Sequence, residues 1–327
     1  MIPALANAVI VPPLLALLTS SAVVALVMRS RIGTLAVDHP NARSLHTTPT
    51  PRLGGIGIIA GVAAAGCYSA TDIDASLLIA LALLIGISLL DDLRSIAVKW
   101  RLCAHVASAA LATSVLLQAY GWWSVLIATL ATVWMINLYN FMDGSDGLAG
   151  GMTVIGFGSY GAAALAGGDI SFAAINWSIA AAGAGFLCVN FPPARIFMGD
   201  VASIPLGWLA AVSGIAGYLR GDWPLWFGLV VFSPFIIDAS YTLLRRLLRR
   251  ARVWEAHREH LYQRLIQSGW GHRRTTLAEY ALMLLCGGGA IFASRLDQAF
   301  QLTVLGVLAL LYAALVAALE RRLARDA

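Results

Sequence analysis

The sequence predicts an all-α, polytopic membrane protein, and three observations lead to that prediction. Of its 327 residues, 59% are hydrophobic and only 12% are charged, which excludes an ordinary soluble domain. Apolar runs long enough to span a bilayer follow one another along the whole chain. Basic residues concentrate in alternate connections between those runs. We therefore expect one integral-membrane domain over residues 1–327, with its polar loops on the cytoplasmic side.

Eleven transmembrane helices are predicted from these runs. Their approximate ranges are 8–28, 54–70, 75–90, 102–118, 122–140, 149–166, 172–190, 203–219, 225–244, 277–293 and 300–319. The first run has no basic residue before it and arginines after it, which indicates a retained helix and not a cleaved signal peptide.

The distribution of charge predicts the orientation. All but two of the 22 basic residues fall in connections on one side of the membrane, the exceptions being Arg220 and Arg295. By the positive-inside rule the N-terminus is outside and the C-terminus is cytoplasmic. The four cysteines are scattered through apolar runs without a CxxC pair, so we interpret them as core residues and not as disulfides or metal ligands.

The stretch 137–151 is the most unusual part of the chain, because polar residues follow directly on an apolar run. Asn137 and Asn140 share a helix face, and Asp143 and Asp146 repeat the same spacing if the turn stays helical. Carboxylates at the mouth of a membrane helix are costly unless a cation or a hydrogen-bond donor meets them. The alternative is an Asp-Gly turn that merely leaves the membrane.

Two further acidic patches are predicted on the same side. Asp91 and Asp92 end an apolar run, and adjacent carboxylates suit either Mg²⁺ binding or a base with a raised pKa. The alternative is a cytoplasmic flank neutralised by Lys99 and its basic neighbours. Asp200 begins another apolar run, where it would either cap the helix or bind a metal; as a third acidic patch it is better interpreted as a ligand.

Two basic or donor-rich segments complete the candidate site. His257 and His260 are spaced i, i+3 near Arg264; without a Cys or a third His at metal spacing, they suit a diphosphate better than zinc. The arginines around them also fit an anchor on anionic lipid. In the polar segment 38–55, donors capable of binding a phosphate or a nucleotide include Arg43, Ser44, His46 and Arg52; the alternative is a solvated loop.

These motifs, in this order, resemble the polyprenyl-phosphate N-acetylhexosamine-1-phosphate transferases. They are Asp91-Asp92 with Lys99 and Arg101, the 137–149 stretch Asn-x-x-Asn-x-x-Asp-Gly-x-Asp-Gly-Leu-Ala, Met-Gly-Asp at 198–200, and the His-x-x-His loop at 257–260. The resemblance covers nearly the whole chain. The segments 38–52 and 257–264 resemble the bacterial branch that starts O-antigen or other surface polysaccharides.

The resemblance implies a multi-pass enzyme of the bacterial inner membrane that needs Mg²⁺ or Mn²⁺. Such an enzyme transfers a sugar-1-phosphate from a UDP-N-acetylhexosamine to undecaprenyl phosphate and releases UMP. It implies no nucleic-acid partner and allows a homodimer. Many members that use N-acetylglucosamine have a third acid after the pair, where this chain has Ser95, so the donor sugar stays open.

On that resemblance, Asp200 with Asp91 or Asp92 is expected to hold Mg²⁺, and one of the pair is expected to deprotonate or position the lipid phosphate. Two sets of residues are expected to assist. Those expected to bind or orient substrate are Arg43, Ser44, His46, Lys99, Asn137, Asn140, Asp143 and Asp146, and those expected to stabilise diphosphate charge are His257, His260 and Arg264.

Two alternatives to this function are considered. The related phospho-N-acetylmuramoyl-pentapeptide transferase of peptidoglycan synthesis usually carries a tighter run of histidines in its last loop. A transporter would also place carboxylates in the membrane, but near its midplane and between broken helices.

Overall fold

The computed structural model describes residues 2–40, 44–69, 73–252, 255 and 257–325, with side chains described from residue 7 to residue 323. These residues form thirteen α-helices. They are α1 Ile2–Arg29, α2 Gly55–Ser69, α3 Ala75–Arg94, α4 Val98–Leu116, α5 Trp122–Met142, α6 Leu148–Gly167, α7 Ile170–Asn190, α8 Asp200–Arg220, α9 Phe227–Val231, α10 Ser233–Leu248, α11 Leu261–Leu265, α12 Gly271–Ala293 and α13 Gln298–Arg325.

The predicted all-α class is confirmed, whereas the predicted count of eleven spans is not. Eight of the described helices are long and apolar enough to cross a membrane. The shortfall has local causes: α2 has only 15 residues, and α4 carries Lys99 and Arg101 in its first turns. The ninth predicted range, 225–244, is divided into α9 and α10 at Phe232, because Pro234 has no N–H to continue the helical hydrogen bonds.

Close contacts between helix backbones hold the centre of the bundle together. The helix α7 packs against α1, α2 and α6, and α8 packs against α3 and α5. Where α1 meets α2 and α7, a Cβ on Gly61 would lie 2.5 Å from the carbonyl oxygen of Ala16, and one on Gly185 would lie 2.8 Å from that of Leu17. Small residues permit this approach, which drives helix association in a lipid environment.

The segment between α1 and α2 crosses one end of the bundle. Its strands β1 (Val37–Asp38) and β2 (Thr50–Pro51) are antiparallel, with Asp38 opposite Thr50. Just beyond β2, the backbone N–H of Gly54 donates to the carbonyl of Phe197 at 2.9 Å. The segment is therefore fixed against the loop that precedes α8, at the end of the bundle where the acidic residues lie.

Candidate active site

An open cavity of about 290 Å³ lies at this end of the bundle, where α3, α5 and α7 end and α6, α8 and α12 begin. Among the described residues, its lining contains five carboxylates and one guanidinium group, those of Asp38, Asp92, Asp143, Asp146, Asp200 and Arg52. Other polar lining residues are Ser44, His46, Ser145, Asn190, Gln263 and His272. The three acidic patches thus meet in one place. Because the cavity carries an excess of negative charge, a phosphate ligand can bind here only together with cations that compensate the repulsion.

Asp92 joins the end of α3 to the start of α8. Its carboxylate accepts hydrogen bonds from the backbone N–H groups of Asp200 at 3.2 Å and Val201 at 2.9 Å. The positive end of the helix dipole favours an anion at this position. On its other side, Nη2 of Arg52 donates to the backbone carbonyl of Asp92 at 2.6 Å. The cap of α8 is therefore Asp92 and not Asp200, the residue for which the sequence allowed a capping role.

The approach of these segments depends on Gly199, the residue before α8. Gly199 has a φ of +77°, and a Cβ there would lie 2.1 Å from the carbonyl oxygen of Arg52. Glycine adopts this conformation without a steric penalty and leaves room for the neighbouring backbone. Gly199 therefore lets Arg52, Asp92 and Asp200 share one wall of the cavity.

Asp200 is held by donors from two other helices. Nδ2 of Asn140 donates to its Oδ1 at 2.8 Å, and Nη1 of Arg101 donates to its Oδ2 at 3.1 Å. The same amide of Asn140 lies 2.9 Å from Oγ of Ser203, one turn into α8. Both oxygens of Asp200 are thus oriented before any ligand arrives, as a site for charged chemistry requires.

Asp91 lies beside Asp200 but is not among the residues that line the cavity. Its Oδ2 is paired with Nη1 of Arg101, and its Oδ1 accepts from the backbone N–H of Ile96 at 2.5 Å. Arg101 therefore bridges Asp91 and Asp200. Of the adjacent pair, it is Asp92 that lines the cavity, whereas Asp91 acts on the site as a direct neighbour of Asp200 and through Arg101.

The turn from α5 to α6 presents Asp143 and Asp146 to the cavity, although it is not helical. Helix α5 ends at Met142, and Gly147, with a φ of +74°, leads into α6. Oδ2 of Asp146 accepts from the backbone N–H of Ala194 at 3.0 Å, so the turn is joined to the loop before α8. Burial, together with the charges of Asp200 and Asp92, raises the pKa of the Asp143 carboxyl well above its usual range.

His272, at the start of α12, connects two walls of the cavity and was not predicted. Its Nδ1 lies 3.0 Å from Oγ of Ser145 and accepts from the backbone N–H of Asp146 at 3.4 Å. Its Nε2 therefore carries the proton and donates to the carbonyl of Leu45 at 3.3 Å. One ring thus joins the segment 44–46 to the turn 145–146.

We expect His272→Ala to raise the KM for a nucleotide substrate about 5- to 10-fold with little change in kcat, because hydrogen bonds that orient two binding segments are lost. Steady-state kinetics of the purified variant measures this effect. His39→Ala, which changes an exposed histidine in the segment between α1 and α2, is the matched control and should leave both constants unchanged. An unchanged KM for His272→Ala would contradict the role of this ring.

The structure places His257, His260 and Arg264 outside the cavity lining. His260 is buried, with Nδ1 3.3 Å from Oδ1 of Asp238 on α10. Burial and the neighbouring His260 and Arg246 lower the pKa of His257 to about 4, so its ring is neutral at pH 7. Arg264 donates to both carboxylate oxygens of Glu320 on α13. The partners of His260 and Arg264 lie on α10 and α13, far from them along the chain, which the local spacing did not reveal.

The remaining predicted binding residues divide into three groups. Ser44 and His46 line the cavity. Lys99 is exposed beside the ring of Trp100, and Nδ2 of Asn137 donates to the carbonyl of Val133 within its own helix. Arg43 lies outside the described residues.

Other lining residues were not predicted from the sequence. Asn190 ends an apolar run, as Asn140 does, and this signal would have identified it. Its Oδ1 accepts from the backbone N–H of Gly147 at 2.9 Å, and its Nδ2 donates to the carbonyl of Ile196 at 2.8 Å. Gln263 and His272 carried no comparable signal, because each lies among basic residues that any cytoplasmic loop contains.

The donor set of the cavity fits a magnesium ion. Mg²⁺ is usually bound by one or two carboxylates together with waters and substrate phosphates, and not by a complete cage of protein ligands. Among the described residues no group of three His, Cys, Asp or Glu side chains forms such a cage. Asp92 and Asp200 instead offer carboxylate oxygens on the same wall of an acidic cavity that is large enough to admit phosphate groups.

Comparisons with known proteins find relatives over most of the chain. Residues 75–218, which contain Asp92, Asn140, Asp143 and Asp200, match the model of glycosyl transferase family 4. A probable undecaprenyl-phosphate N-acetylglucosaminyl 1-phosphate transferase of Bacillus subtilis is 29% identical over 86% of this chain and 84% of its own. The Mycobacterium tuberculosis decaprenyl-phosphate N-acetylglucosaminephosphotransferase is 32% identical over 83% of this chain and 79% of its own.

A third relative, the undecaprenyl-phosphate alpha-N-acetylglucosaminyl 1-phosphate transferase of Escherichia coli, is 28% identical over 79% of this chain and 75% of its own. The similarity therefore extends over most of both chains and across distant bacteria. On the shared motifs, the acidic cavity and these relatives, the chain belongs to glycosyl transferase family 4, the polyprenyl-phosphate N-acetylhexosamine-1-phosphate transferases.

Proposed function

We propose that the protein transfers an N-acetylhexosamine-1-phosphate from a UDP-sugar to undecaprenyl phosphate, releases UMP, and so starts a lipid-linked surface polysaccharide. The observation that carries this proposal is the acidic cavity at one end of a membrane helix bundle. A lipid phosphate approaches from the bilayer and a nucleotide sugar from the cytosol, so their reaction needs a site at the membrane surface. The relatives named above act on polyprenyl phosphates, which supports this substrate class.

We further propose eleven spans in the bacterial inner membrane, with the N-terminus outside and the cavity on the cytoplasmic side. Each of the eleven predicted ranges overlaps at least one described helix. The distribution of basic residues supports the orientation, because the connections at the cavity end hold all but two of them. UDP-sugars are made in the cytosol, and this orientation gives them access.

In the proposed reaction an oxygen of the lipid phosphate attacks the β-phosphorus of the UDP-sugar. The new phosphorus–oxygen bond forms as the bond between the β-phosphorus and the bridging oxygen breaks, and UMP leaves with that electron pair. The products are a polyprenyl diphosphate sugar and UMP. A Mg²⁺ ion bound at Asp200 and Asp92 would neutralise charge on the diphosphate.

The residues of this chain have separate tasks in the proposal. Asp92 faces the cavity and, as a ligand of the Mg²⁺ ion, is the member of the adjacent pair placed to orient the lipid phosphate. Arg52 offers a guanidinium group to phosphate oxygens. Asp143 and Asp146, on the turn opposite, orient the nucleotide sugar. Positioning and charge neutralisation dominate such phosphoryl transfers.

The two alternatives fit less well. A transporter would place its carboxylates near the bilayer midplane, whereas the lining carboxylates lie at helix ends and in loops. The relatives named above act with N-acetylglucosamine and not with a muramoyl peptide, which disfavours the peptidoglycan transferase.

The proposed function is tested by UMP release from purified protein. The reactions contain undecaprenyl phosphate, Mg²⁺ and one of a panel of UDP-N-acetylhexosamines, of which UDP-N-acetylglucosamine is the first to try. We expect UMP from one donor only, its release lost without the lipid and abolished by EDTA, then restored by excess Mg²⁺. Release that persists in EDTA would overturn the metal role. If a preparation shown to be folded released no UMP with any donor, the proposed function would be overturned.

A further inference from the structure

The last helix, α13, contacts the bundle mainly through polar side chains. Its large apolar side chains face outward, with Phe300 60% exposed and Leu310 73% exposed. Toward the bundle, Oε1 of Gln301 accepts from Nε1 of Trp226 at 3.1 Å, and the hydroxyl of Tyr312 lies 2.7 Å from that of Ser233. Polar groups in a membrane helix are costly and mark contacts that matter for function or assembly.

Glu320 makes the most extensive of these contacts. Its carboxylate accepts from Nη1 and Nη2 of Arg264 at 2.5 and 3.1 Å, which is a bidentate pair. It also accepts from the hydroxyl of Tyr241 at 2.9 Å, and Nε of Arg245 lies 3.7 Å away. One carboxylate therefore joins α13 to α10 and α11.

Helix α11 cannot be stable by itself, because five residues are too few for a helix in isolation. Its N-terminal end is held by Asp238 on α10, which accepts from the backbone N–H groups of Leu261 at 2.8 Å and Tyr262 at 3.0 Å. Its C-terminal end is held by the pair of Arg264 with Glu320. Without this second attachment, the C-terminal end of the helix would lose its ion pair to α13.

The short helix forms part of the cavity wall. Gln263, the residue before Arg264, lines the cavity. The hydroxyl of Tyr262 donates to the carbonyl of Phe141 at 3.1 Å. The same hydroxyl lies so close to Gly144 that a Cβ on this glycine would be 2.2 Å from the hydroxyl oxygen. The position of α11 therefore determines where Gln263 lies in the cavity wall and how Tyr262 contacts the turn that carries Asp143.

We propose that Glu320 is a positioning residue: through Arg264 it fixes α11 against the cavity and so determines how the nucleotide sugar is bound. This inference rests on the proposed function. It also gives Arg264 a different role from the one predicted from sequence, since the guanidinium group holds α11 in place and does not contact the diphosphate.

The test compares Glu320→Gln, Arg264→Gln and the double variant in the UMP-release assay. We expect each single variant to raise the KM for the UDP-sugar about 5- to 10-fold with kcat within about twofold, because binding geometry is lost and the chemical groups remain. The double variant should behave like either single one, since both changes remove the same pair. A far larger loss in Arg264→Gln than in Glu320→Gln would show direct substrate contact and overturn the proposal.

Tyr312→Phe is the matched control on the same helix. It removes the hydrogen bond to Ser233 without changing the shape of the side chain. Loss of stability alone would be seen in this variant too, whereas a raised KM is expected only from the changes at Glu320 and Arg264. If Tyr312→Phe raised the KM equally, the effect would belong to the docking of α13 as a whole, and the specific role of Glu320 would be refuted.

Hydrogen exchange of the substrate-free protein gives a readout that does not depend on activity. We expect the backbone amides of 261–265 to exchange faster in Glu320→Gln than in the wild type and in Tyr312→Phe. Unchanged exchange with an unchanged KM would overturn the positioning role. If the wild-type protein released no UMP, the proposed function would fall, while the exchange measurement would still decide whether Glu320 fixes α11.

Discussion

Asp200→Asn is expected to lower UMP release by about 10²–10³-fold, the loss typical of removing one preorganised electrostatic group. Asparagine keeps the size and one oxygen acceptor of the side chain but removes its charge. Asn140 and Arg101 each donate to a different oxygen of Asp200, so the variant loses the anion and keeps only one of these two hydrogen bonds. The rate of UMP release at saturating lipid and nucleotide sugar measures the loss.

The stability of the Asp200→Asn variant should rise or stay unchanged. Five carboxylates and one guanidinium group line the cavity among the described residues, so removing one negative charge relieves repulsion. Active sites commonly sacrifice stability in this way. We expect an unchanged or higher Tm in detergent, measured without added metal. A marked fall in Tm together with lost activity would indicate a structural role, and retained activity would exclude Asp200 as a metal ligand.

The convergence of the acidic patches could be predicted from sequence because it depends only on topology. Asp92, Asp143 and Asp200 each lie at the boundary of an apolar run, and an even number of spans separates any two of them in the predicted topology. Their side chains must then emerge at the same membrane surface. No knowledge of helix packing was needed for that step.

The choice between Asp91 and Asp92 could not be predicted, because it depends on how α3 is rotated. Neighbouring residues on a helix point in directions about 100° apart, since 3.6 residues make one turn. Only the packing of α3 on α4 and α8 decides that Asp92 meets the N-terminus of α8 while Asp91 meets Arg101. Sequence spacing carries no information about that rotation.

The partners of His260 and Arg264 could not be predicted from the sequence either. Asp238 is 22 residues before His260, within an apolar run, and Glu320 is 56 residues after Arg264, directly after an apolar run. The division of the ninth predicted span at Phe232 did have a local signal in Pro234. The pairing of Arg264 with Glu320 had none, because a carboxylate near the end of a membrane helix is as easily explained by exposure to water.

The second large effect is expected from Asp92→Asn, and it should exceed that of Asp91→Asn. Asp92 faces the cavity and also caps α8, so its charge acts on the substrate and on the placement of Asp200. We expect about 10²–10³-fold slower UMP release for Asp92→Asn. For Asp91→Asn we expect roughly a 10-fold loss, because Arg101 keeps its contact with Asp200 and only its second partner changes.

The capping role of Asp92 needs its own control, since a weakened helix would also slow the reaction. Asp74 caps α3 by accepting from the backbone N–H of Ser76 at 2.7 Å. It lies at the opposite end of this helix from Asp92 and does not line the cavity. Asp74 caps with one oxygen, and asparagine caps about as well as aspartate, so Asp74→Asn should cost less than about 1 kcal/mol of stability. Asp92→Asn keeps only one of its two backbone hydrogen bonds and should cost about 1–3 kcal/mol. Only Asp92→Asn should slow UMP release. Equal losses in Asp91→Asn and Asp92→Asn would mean that the pair acts as one unit through Arg101, and the separate role of Asp92 at the cavity would have to be abandoned.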